Sequence, residues 1–248
     1  MRKEQILNYL IETYLTELTP ISSGELKRKC ELSFSPSTIR NYFQKLDDEG
    51  LILKLHISSG SVPSNMALRH YWLENLGFNG SEISKENLQE VANQFDVFIT
   101  IKEKENLTLN SILNIEDRFI ILDFSNKEVV FRYSNELFRL LNELKGYSLE
   151  NVKKFLKILK IDIKDKFSIN KIENFNREFL YKHYKEFSID SMFNEEIFEN
   201  FSKGLSFNEN YLIYKIDAFV DGKESEFIVL GDIHTNYINL FNSIKEVR

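Results

Sequence analysis

One stretch of the chain, SPSTIRNYFQKLDDEGL over residues 35–51, limits the fold more than any other because it marks both ends of a helix. Ser35 is a typical N-terminal cap, and Pro36 suits the first helical position, where a backbone N–H would have no partner. Gly50 suits the residue just after a helix, where the backbone adopts a left-handed conformation. The sequence therefore predicts a short, well-defined helix at this place.

The two faces of this helix differ in chemistry. Ile39, Phe43 and Leu46 share one face at helical spacing, so we expect them in a core. The opposite side carries side chains that can hydrogen-bond to base edges or phosphates. They are Ser37, Arg40, Asn41 and Gln44, with Thr38 and Lys45 on the flanks. A polar outer face usually contacts only solvent. The neighbouring segments therefore have to indicate whether this helix contacts a nucleic acid.

Two further helices are predicted before this one. Apolar residues recur at helical spacing over residues 3–17, which indicates the first helix. Ser22 and Glu25 then form the pattern of a capping box, in which each side chain binds a backbone N–H at the start of the next helix. That second helix is short, over residues 23–30, and it carries three consecutive basic side chains, Lys27, Arg28 and Lys29.

A strand and a loop are predicted after it. Residues 51–57 alternate between apolar and polar side chains, so we expect Leu53 to face the core and Lys54 and His56 to face away from it. The turn-rich segment SSGSVPS over residues 58–64 indicates a loop, and residues 65–76 return to a helix. Three helices, a strand and such a loop are typical of a winged helix-turn-helix, whose third helix enters the major groove while the wing touches the DNA backbone or minor groove.

The charge distribution permits a nucleic-acid partner. The chain as a whole carries a net charge of −6, which by itself argues against a polyanionic partner. Residues 1–75, however, contain nine basic and nine acidic residues, so the entire negative charge lies in the rest of the chain. The overall charge therefore neither demonstrates nor excludes a DNA-binding surface in the first segment.

Residues 77–248 show an α+β pattern. The stretch 76–81 is the best linker candidate. Strand-like runs at 119–124 and 129–133 predict one hairpin, and runs at 211–220 and 226–230 predict another around the turn-forming pair Asp221–Gly222. Helices are predicted over residues 137–144, 149–159, 170–187, 192–201 and 235–247.

The sequence offers no site for catalysis, a metal or a cofactor. With one cysteine, Cys30, there is neither a disulfide nor a cysteine-based metal site, and the four histidines lack metal-binding spacing. No glycine-rich phosphate loop or nucleophile motif is present, so we expect neither an enzyme nor a cofactor. The N-terminus is amphipathic and no segment approaches the roughly 20 apolar residues of a membrane span. We expect a cytoplasmic protein without a membrane partner.

The first 76 residues resemble the bacterial heat-inducible transcription repressor family HrcA. The family's Pro-Val/Ile-Ser/Gly-Ser element is similar to residues 20–23, and its Ser-Pro-Ala/Ser-Thr-Ile-Arg-Asn recognition helix to residues 35–41. Its Leu-Glu-x-x-Gly-Tyr/Leu segment matches residues 46–51, and its wing, His-Thr-Ser-Ala-Gly-Arg-x-Pro-Ser/Thr, is similar to HISSGSVPS at residues 56–64. The family's Gly-Tyr-Arg-x-Tyr-Val is similar to residues 68–72. Two departures are Ser61 in place of the wing arginine and Leu68 in place of a glycine.

This resemblance implies a fold and a set of partners. A winged helix-turn-helix, residues 1–76, is followed by a GAF-like α+β domain, residues 77–248, in which we expect a reduced dimerisation insert because the chain is shorter than typical members. The C-terminal GDIHTNY, residues 231–237, loosely resembles the family's Gly-Pro-x-Arg-Met-x-Tyr. The target implied is an inverted repeat near chaperone genes, and the partner implied is the chaperonin, which keeps the repressor active until heat diverts it to unfolded proteins.

The leading hypothesis is therefore a transcriptional repressor that binds double-stranded DNA as a homodimer, because two winged helices related by a two-fold axis read an inverted repeat. Arg40 and Asn41 are the first candidates for base or phosphate contacts, beside Ser37, Thr38 and Gln44. Phosphate attraction is assigned to Lys27, Arg28, Lys29, Lys45 and Lys54. The wing contacts are assigned to His56, Ser59, Gly60 and Ser61.

Two alternatives stay open on the sequence. One is a winged-helix regulator whose GAF-like domain senses a small metabolite, which a ligand-induced shift in melting temperature would favour. The other is an enzyme or a protein–protein adaptor that uses the winged helix as an interaction surface. Failure to bind any inverted-repeat DNA at low salt would favour this second alternative.

Overall fold

The computed structural model describes residues 2–30, 34–54, 60–77, 82–163, 166–167, 172–183, 192–194 and 196–245. The chain divides into two compact units. Unit 1 comprises Met1–Lys102 and Ile172–Arg248, and unit 2 comprises Glu103–Lys171. Among the helices in these ranges, none is long and apolar enough to cross a membrane.

The N-terminal part of unit 1 consists of helices and one small antiparallel sheet. The elements are α1 (Arg2–Glu17), α2 (Ser23–Lys29), α3 (Pro36–Asp48), β1 (Ile52–Lys54), β2 (Ser61–Pro63) and α4 (Asn65–Asn75). The predicted helices agree with these bounds to within one residue. The capping box is present, because Ser22 Oγ accepts the Glu25 N–H at 3.2 Å and the Glu25 carboxylate accepts the Ser22 N–H at 3.5 Å.

The remaining elements alternate between strands and helices. Residues 82–103 form β3 (Glu82–Ile83), α5 (Leu88–Gln94) and β4 (Val97–Glu103). Unit 2 contains β5 (Ser111–Ile115), β6 (Phe119–Asp123), β7 (Glu128–Arg132), α6 (Asn135–Asn142) and α7 (Leu149–Ile158). Unit 1 then continues with β8 (Ile172–Phe175), α8 (Arg177–His183), α9 (Glu196–Asn200), β9 (Gly204–Asn208), β10 (Tyr211–Val220), β11 (Lys223–Asp232) and α10 (Tyr237–Lys245).

The main sheet of unit 1 has the strand order β3-β10-β11-β4-β8, with β9 also paired to β10. Its centre is the predicted hairpin of β10 and β11, ten residues each, joined by Asp221 and Gly222. Both turn residues have positive φ, 48° and 75°, as this type of tight hairpin turn requires. The hairpin is therefore confirmed, and its second strand is longer than predicted.

Helices cover both faces of this sheet. Successive side chains of a strand point to opposite faces, so neighbouring residues of one strand belong to different cores. In β4, Ile99 belongs to a core shared with α5 and α10, whereas the neighbouring Phe98 packs with Phe179 of α8 and Ile197 of α9. The first of these cores also takes in the buried faces of α1 to α4. This arrangement confirms the α+β class and is consistent with a GAF-like domain. The predicted division after residue 76 stays a prediction.

Unit 2 is a three-stranded antiparallel sheet, β5-β6-β7, with the predicted hairpin of β6 and β7 confirmed. One face of the sheet is buried through Ile120, Leu122 and Phe131, which share a core with residues of α6 and α7. The other face carries side chains that stay partly exposed. Helix α7 agrees closely with the predicted range 149–159.

Several predicted elements are wrong. Residues 172–175, predicted to be helical, form β8, because Ile172–Phe175 pair in register with residues 99–102 of β4. The helix predicted over residues 192–201 is α9 only from Glu196 to Asn200. In β1 the buried side chain is Ile52, whereas Leu53 is 51% exposed, so the predicted inward face of that strand is wrong. Most of the linker candidate, residues 78–81, lies outside the described residues.

Candidate nucleic-acid interface

Helix α3 begins and ends where its cap residues predict. Ser35 Oγ accepts the Thr38 backbone N–H at 3.1 Å and lies 2.7 Å from the Ser37 hydroxyl oxygen. Pro36 occupies the first turn, and Gly50 follows the helix with a φ of +71°. These caps define the helix ends independently of any ligand, so the side chains that the helix presents are held on a preformed scaffold.

The predicted faces of α3 are confirmed as buried and exposed. Ile39, Phe43 and Leu46 are each less than 5% exposed and belong to the unit 1 core. The side chains of Ser37, Arg40, Asn41, Gln44 and Lys45 are exposed, and Thr38 is half-buried. Within the part of the chain that the structure describes, Arg40 and Asn41 make no hydrogen bond or ion pair. No described residue therefore competes with an external partner for their polar groups.

Gln44 and Lys54 are instead engaged with each other and with the acidic end of α3. Lys54 Nζ donates to Gln44 Oε1 at 2.8 Å and lies 3.1 Å from an Asp47 carboxylate oxygen. Gln44 Nε2 donates to Asp48 Oδ1 at 2.8 Å. All of these bonds are on the exposed surface, where ion pairs contribute little and exchange readily. Gln44 and Lys54 can contact DNA only by exchanging these bonds for contacts with it.

The basic residues of α2 are exposed, as expected. Lys27, Arg28 and Lys29 occupy its last turn. Lys29 is held by Glu17 and Glu25, with a nitrogen-to-oxygen distance of 3.1 Å to the latter. This pairing leaves Lys27 and Arg28 as the stronger sources of positive potential on α2.

The loop after β1 is only partly described. Its residues 55–59, which include the candidates His56 and Ser59, lie outside the described residues. Gly60, the next residue, has a φ of +83°, and a Cβ at this position would lie 2.8 Å from the carbonyl carbon of Ile21. Only glycine fits such a close approach of two backbones.

Ser61 differs from the other candidates because its side chain is 2% exposed. Its backbone N–H donates to the Ile21 carbonyl oxygen at 2.9 Å, and the Ile21 N–H donates back to the Ser61 carbonyl at 2.9 Å. We therefore assign Ser61 to the base of the loop and not to the DNA-facing side chains. Sequence patterns gave no sign of this anchor, since both bonds use backbone atoms that every residue other than proline carries.

A small-molecule site is less well supported. A cleft of about 440 Å³ in unit 1 is lined entirely by polar residues. They are Gln89, Asn93, Asp96, Asn174, Asn176, Arg177, Glu178 and Lys182. Sites for small metabolites are usually enclosed and predominantly apolar, with only a few polar groups. No cluster of three or more potential metal ligands occurs among the residues that the structure describes.

Comparisons with known proteins point to one family. A family model of the HrcA C-terminal domain matches residues 72–248. A heat-inducible transcription repressor HrcA of Helicobacter pylori strain ATCC 700392 / 26695 is 29% identical, over 99% of this chain and 95% of that protein. The protein of the same name from H. pylori strain J99 is 28% identical over the same shares. The one from Acaryochloris marina is 41% identical over 70 residues, which are 28% of this chain and 19% of the relative.

A comparison of folds adds one solved structure. The crystal structure of a hypothetical protein superposes with a TM-score of 0.51 at 17% sequence identity. The match covers 98% of this chain and 95% of that chain. At this identity the similarity concerns the fold alone.

Proposed function

Because the chain belongs to the HrcA family of heat-inducible transcription repressors, we propose that it represses chaperone genes by binding an inverted-repeat operator as a homodimer. Residues 1–76 act in this proposal as a winged helix-turn-helix, with α3 in the major groove and the loop between β1 and β2 as the wing. A repressor has to reach the chromosome, so the proposed location is the bacterial cytoplasm.

One observation carries the DNA-binding proposal, namely the outer face of α3. Arg40 and Asn41 are adjacent and exposed on a helix that is capped at both ends and buried on its opposite side. Arginine recognises guanine through two hydrogen bonds, and asparagine recognises adenine in the same way. A rigid helix that offers both groups without a partner among the described residues is suited to reading base edges.

Phosphate contacts complete the proposed interface. Lys27 and Arg28 supply charge from α2, and Lys45 supplies it from α3. Lys29 and Lys54 join them after exchanging their carboxylate partners for phosphates. His56 and Ser59 remain proposed wing contacts, with Gly60 fixing the loop against Ile21. Such contacts position the protein, whereas the base contacts of α3 specify the sequence.

Selection of genomic DNA fragments bound by the purified chain tests this function directly. The expected result is enrichment of an inverted repeat beside chaperone genes, with half-sites about one helical turn or a multiple of it apart. Binding should weaken steeply with salt, since each phosphate contact releases counterions. Enrichment of no sequence over the input DNA at low salt would contradict the proposal.

The homodimer proposal rests on the exposed sheet face of unit 2. Strand register places the outward side chains of β5, β6 and β7 in three rows. The first row is Ser111, Asp123 and Glu128; the second is Leu113, Ile121 and Val130; the third is Ile115, Phe119 and Arg132. Of the apolar members, Leu113, Ile115, Phe119 and Val130 are each between 41 and 46% exposed. A contiguous apolar patch of this kind on a sheet marks an interaction surface.

The charges at the two ends of this patch favour a second copy as the partner. A two-fold axis along the second row brings the apolar row of one copy onto that of the other. The same axis sets Glu128 of one copy opposite Arg132 of the other, because both residues lie on β7 at opposite ends of the patch. An axis along β6 would instead set Glu128 opposite Ser111 and Arg132 opposite Ile115, so neither charge would meet an opposite one. The patch is therefore self-complementary in one orientation, which is the condition for a symmetric dimer.

A Leu113→Lys substitution is expected to weaken dimerisation roughly tenfold or more, because it places a charge in the apolar row through which the proposed axis passes. Sedimentation velocity over a range of concentrations measures this shift. Leu159→Lys is the matched control, since Leu159 is also an exposed leucine of unit 2 but lies after α7, outside the sheet. Equal dimerisation of both variants would remove this face as the interface.

A charge exchange tests the orientation separately. Glu128→Arg alone should weaken the dimer because it places two arginines opposite each other, whereas Glu128→Arg combined with Arg132→Glu should restore it. Failure of the double variant to recover would exclude the proposed axis while leaving the apolar contact open to another arrangement.

The chaperonin enters the proposal through the family alone. A chaperonin that maintains the active form would raise the fraction of chain able to bind the operator, and heat would lower it by diverting the chaperonin to unfolded proteins. Operator binding measured during a temperature rise, with and without chaperonin, tests this step. Identical binding curves in both conditions would count against it.

A further inference from the structure

The turn between β11 and α10 has a shape that is set from within unit 1. The His234 backbone N–H donates to Asp232 Oδ1 at 2.8 Å, and the Tyr237 hydroxyl donates to the Asp232 carbonyl oxygen at 2.9 Å. At Gly231 a Cβ would lie 2.5 Å from Val97 Cγ1 and 2.7 Å from the Tyr237 hydroxyl oxygen. The absence of a side chain therefore lets the turn lie against β4 and α10, and its position depends on the sheet.

Helix α4 binds this turn through a buried tryptophan. The indole N–H of Trp72 donates to the Ile233 carbonyl oxygen at 2.9 Å, and its ring packs edge-on against Tyr237 at a centroid distance of 5.3 Å. All three residues are fully buried. A buried indole needs such a partner, so Trp72 fixes the C-terminal half of α4 on the turn.

The next residue of the turn, His234, contacts two helices at once. Its Nδ1 lies 3.0 Å from the Tyr14 hydroxyl oxygen of α1, and the two rings meet edge to face. Its Nε2 lies 3.2 Å from Asn65 Oδ1 at the first residue of α4. One imidazole therefore holds the C-terminal part of α1 and the start of α4 on the same turn.

The hydrogen bonds around His234 determine which ring nitrogen carries the proton in its neutral form. Asn65 Nδ2 donates to Asn210 Oδ1 at 2.6 Å, so the Asn65 amide presents its oxygen to the histidine. Nε2 must then carry the proton and donate to Asn65, while Nδ1 accepts from the Tyr14 hydroxyl. A second proton turns Nδ1 from an acceptor into a donor, so the Tyr14 hydroxyl has to accept from it and can no longer donate to it. Protonation therefore reverses this hydrogen bond and places a charge in a largely buried site, which weakens the contact with α1.

The charged groups near the ring do not outweigh the effect of burial, which favours the neutral form of His234. The groups that face the ring are Tyr14 of α1, Asn65 of α4 and Asp232 of β11. Asn65 is bonded in turn to Asn210 of the β9–β10 turn, and Arg69 of α4 donates to the Glu209 carbonyl oxygen of that turn. Burial lowers the pKa of His234 below its ordinary value of 6.5, although Asp232 acts in the opposite direction. Burial also raises the pKa of Tyr14, and Asp232 adds to that effect, so the hydroxyl stays protonated.

We propose that His234 is a positioning residue for the DNA-binding helices, which holds α1 and α4 on the β11–α10 turn in the arrangement that operator binding requires and whose contact with α1 weakens when it is protonated. The proposal rests on the proposed DNA-binding function of residues 1–76. The turn follows directly after β11. In this proposal a conformational change in the sheet of unit 1 is therefore transmitted through the turn to α1 and α4.

The pH dependence follows from the lowered pKa. The undocked histidine takes up a proton at about its ordinary pKa, whereas the docked one does so only at lower pH. The contribution of His234 to docking is therefore complete above about pH 6.5 and is lost as the pH falls below that value. Operator binding should likewise weaken as the pH falls below about 6.5.

Trp72 provides a direct reporter of docking, because it is the only tryptophan of the chain and bonds to the residue next to His234. In the full chain at pH 7.5, His234→Ala should shift the Trp72 emission to longer wavelength and weaken operator binding by roughly tenfold. His234→Gln, which retains a donor for Asn65, should keep most of the affinity but lose its pH dependence between pH 7.5 and 5.5. His183→Gln is the control for removal of a histidine elsewhere in unit 1.

A second pair of variants covers the case in which His234→Ala does not fold. Tyr14→Phe removes only the hydroxyl bonded to His234 and should reduce the pH response. Tyr9→Phe removes a hydroxyl of the same helix that bonds instead to exposed Gln5, and it should have no effect. Identical pH profiles for the wild-type chain, His234→Gln and Tyr14→Phe would overturn the proposal.

The two readouts separate the possible failures. A change in Trp72 emission without a change in operator affinity would overturn the positioning role while leaving DNA binding intact. Absence of operator binding by the wild-type chain would refute the proposed function itself, and with it the positioning role, whatever the Trp72 emission shows.

Discussion

The Arg40→Ala variant is expected to bind the operator roughly 5- to 150-fold more weakly than the unchanged chain, which corresponds to roughly 1–3 kcal/mol if Arg40 reads a guanine through two hydrogen bonds. The fold should be unaffected, because Arg40 is exposed on the face of α3 opposite its buried residues and has no internal partner among the described residues. Fluorescence anisotropy with operator DNA, together with a thermal melt of each variant, measures both quantities.

One further substitution identifies the kind of contact that Arg40 makes. Arg40→Lys keeps the charge but cannot form the planar two-bond contact, so it should lose most of the specific affinity. If Arg40 bound only a phosphate, Arg40→Ala would lower the affinity equally for all DNA sequences. The dependence of log affinity on log salt concentration would then become less steep by about one unit. Arg139→Ala is the matched control, an exposed arginine of α6 in unit 2. Normal operator affinity of a folded Arg40→Ala chain would rule out α3 as the recognition helix.

The Gly60→Ala variant is expected to lose roughly 2–4 kcal/mol of unfolding free energy, because the new methyl group requires both a left-handed backbone and a backbone shift. The φ of Gly60 is +83°, and the methyl carbon would lie 2.8 and 2.9 Å from the carbonyl carbon and oxygen of Ile21. Those backbone atoms cannot move aside as a flexible side chain can. Chemical denaturation monitored by circular dichroism measures the change.

Gly24→Ala is the matched control for this prediction. Gly24 lies in α2, close in sequence to Ile21, but nothing lies within 4 Å of a Cβ built on it. Alanine at that position should be neutral or stabilising by up to about 1 kcal/mol, since it lowers the conformational entropy of the unfolded chain. Operator binding of Gly60→Ala should fall in parallel with its stability, because the base of the proposed wing would be displaced from Ile21. Equal stability of both variants would contradict the close backbone approach at Gly60.

The elements that could be predicted from sequence are those determined by local interactions. The ends of α3 follow from Ser35, Pro36 and Gly50, because a cap acts on backbone groups only a few residues away. The β10–β11 hairpin follows from Asp221 and Gly222 for the same reason. The outer face of α3 could also be derived, since helical spacing alone separates it from Ile39, Phe43 and Leu46.

The wrong predictions concern residues whose structure depends on contacts with residues far away in the chain. Residues 172–175 have a pattern compatible with a helix, but pairing with β4, some 70 residues earlier in the chain, makes them a strand. Leu53 and Ile52 alternate in any strand, and only packing against the rest of unit 1 determines that Ile52 is buried. The burial of Ser61 likewise depends on the backbone of Ile21.

The sequence by itself determined the recognition-like helix, its two faces and its resemblance to the HrcA repressors, because caps, helical spacing and short motifs are local properties. Only the tertiary structure revealed that Tyr14, Asn65 and Trp72 meet the β11–α10 turn and that Leu113, Ile121 and Val130 form one partly exposed row. The physical reason is that these contacts join residues far apart in the chain or on separate strands. Their hydrogen bonds and strand register exist only once the sheets have formed.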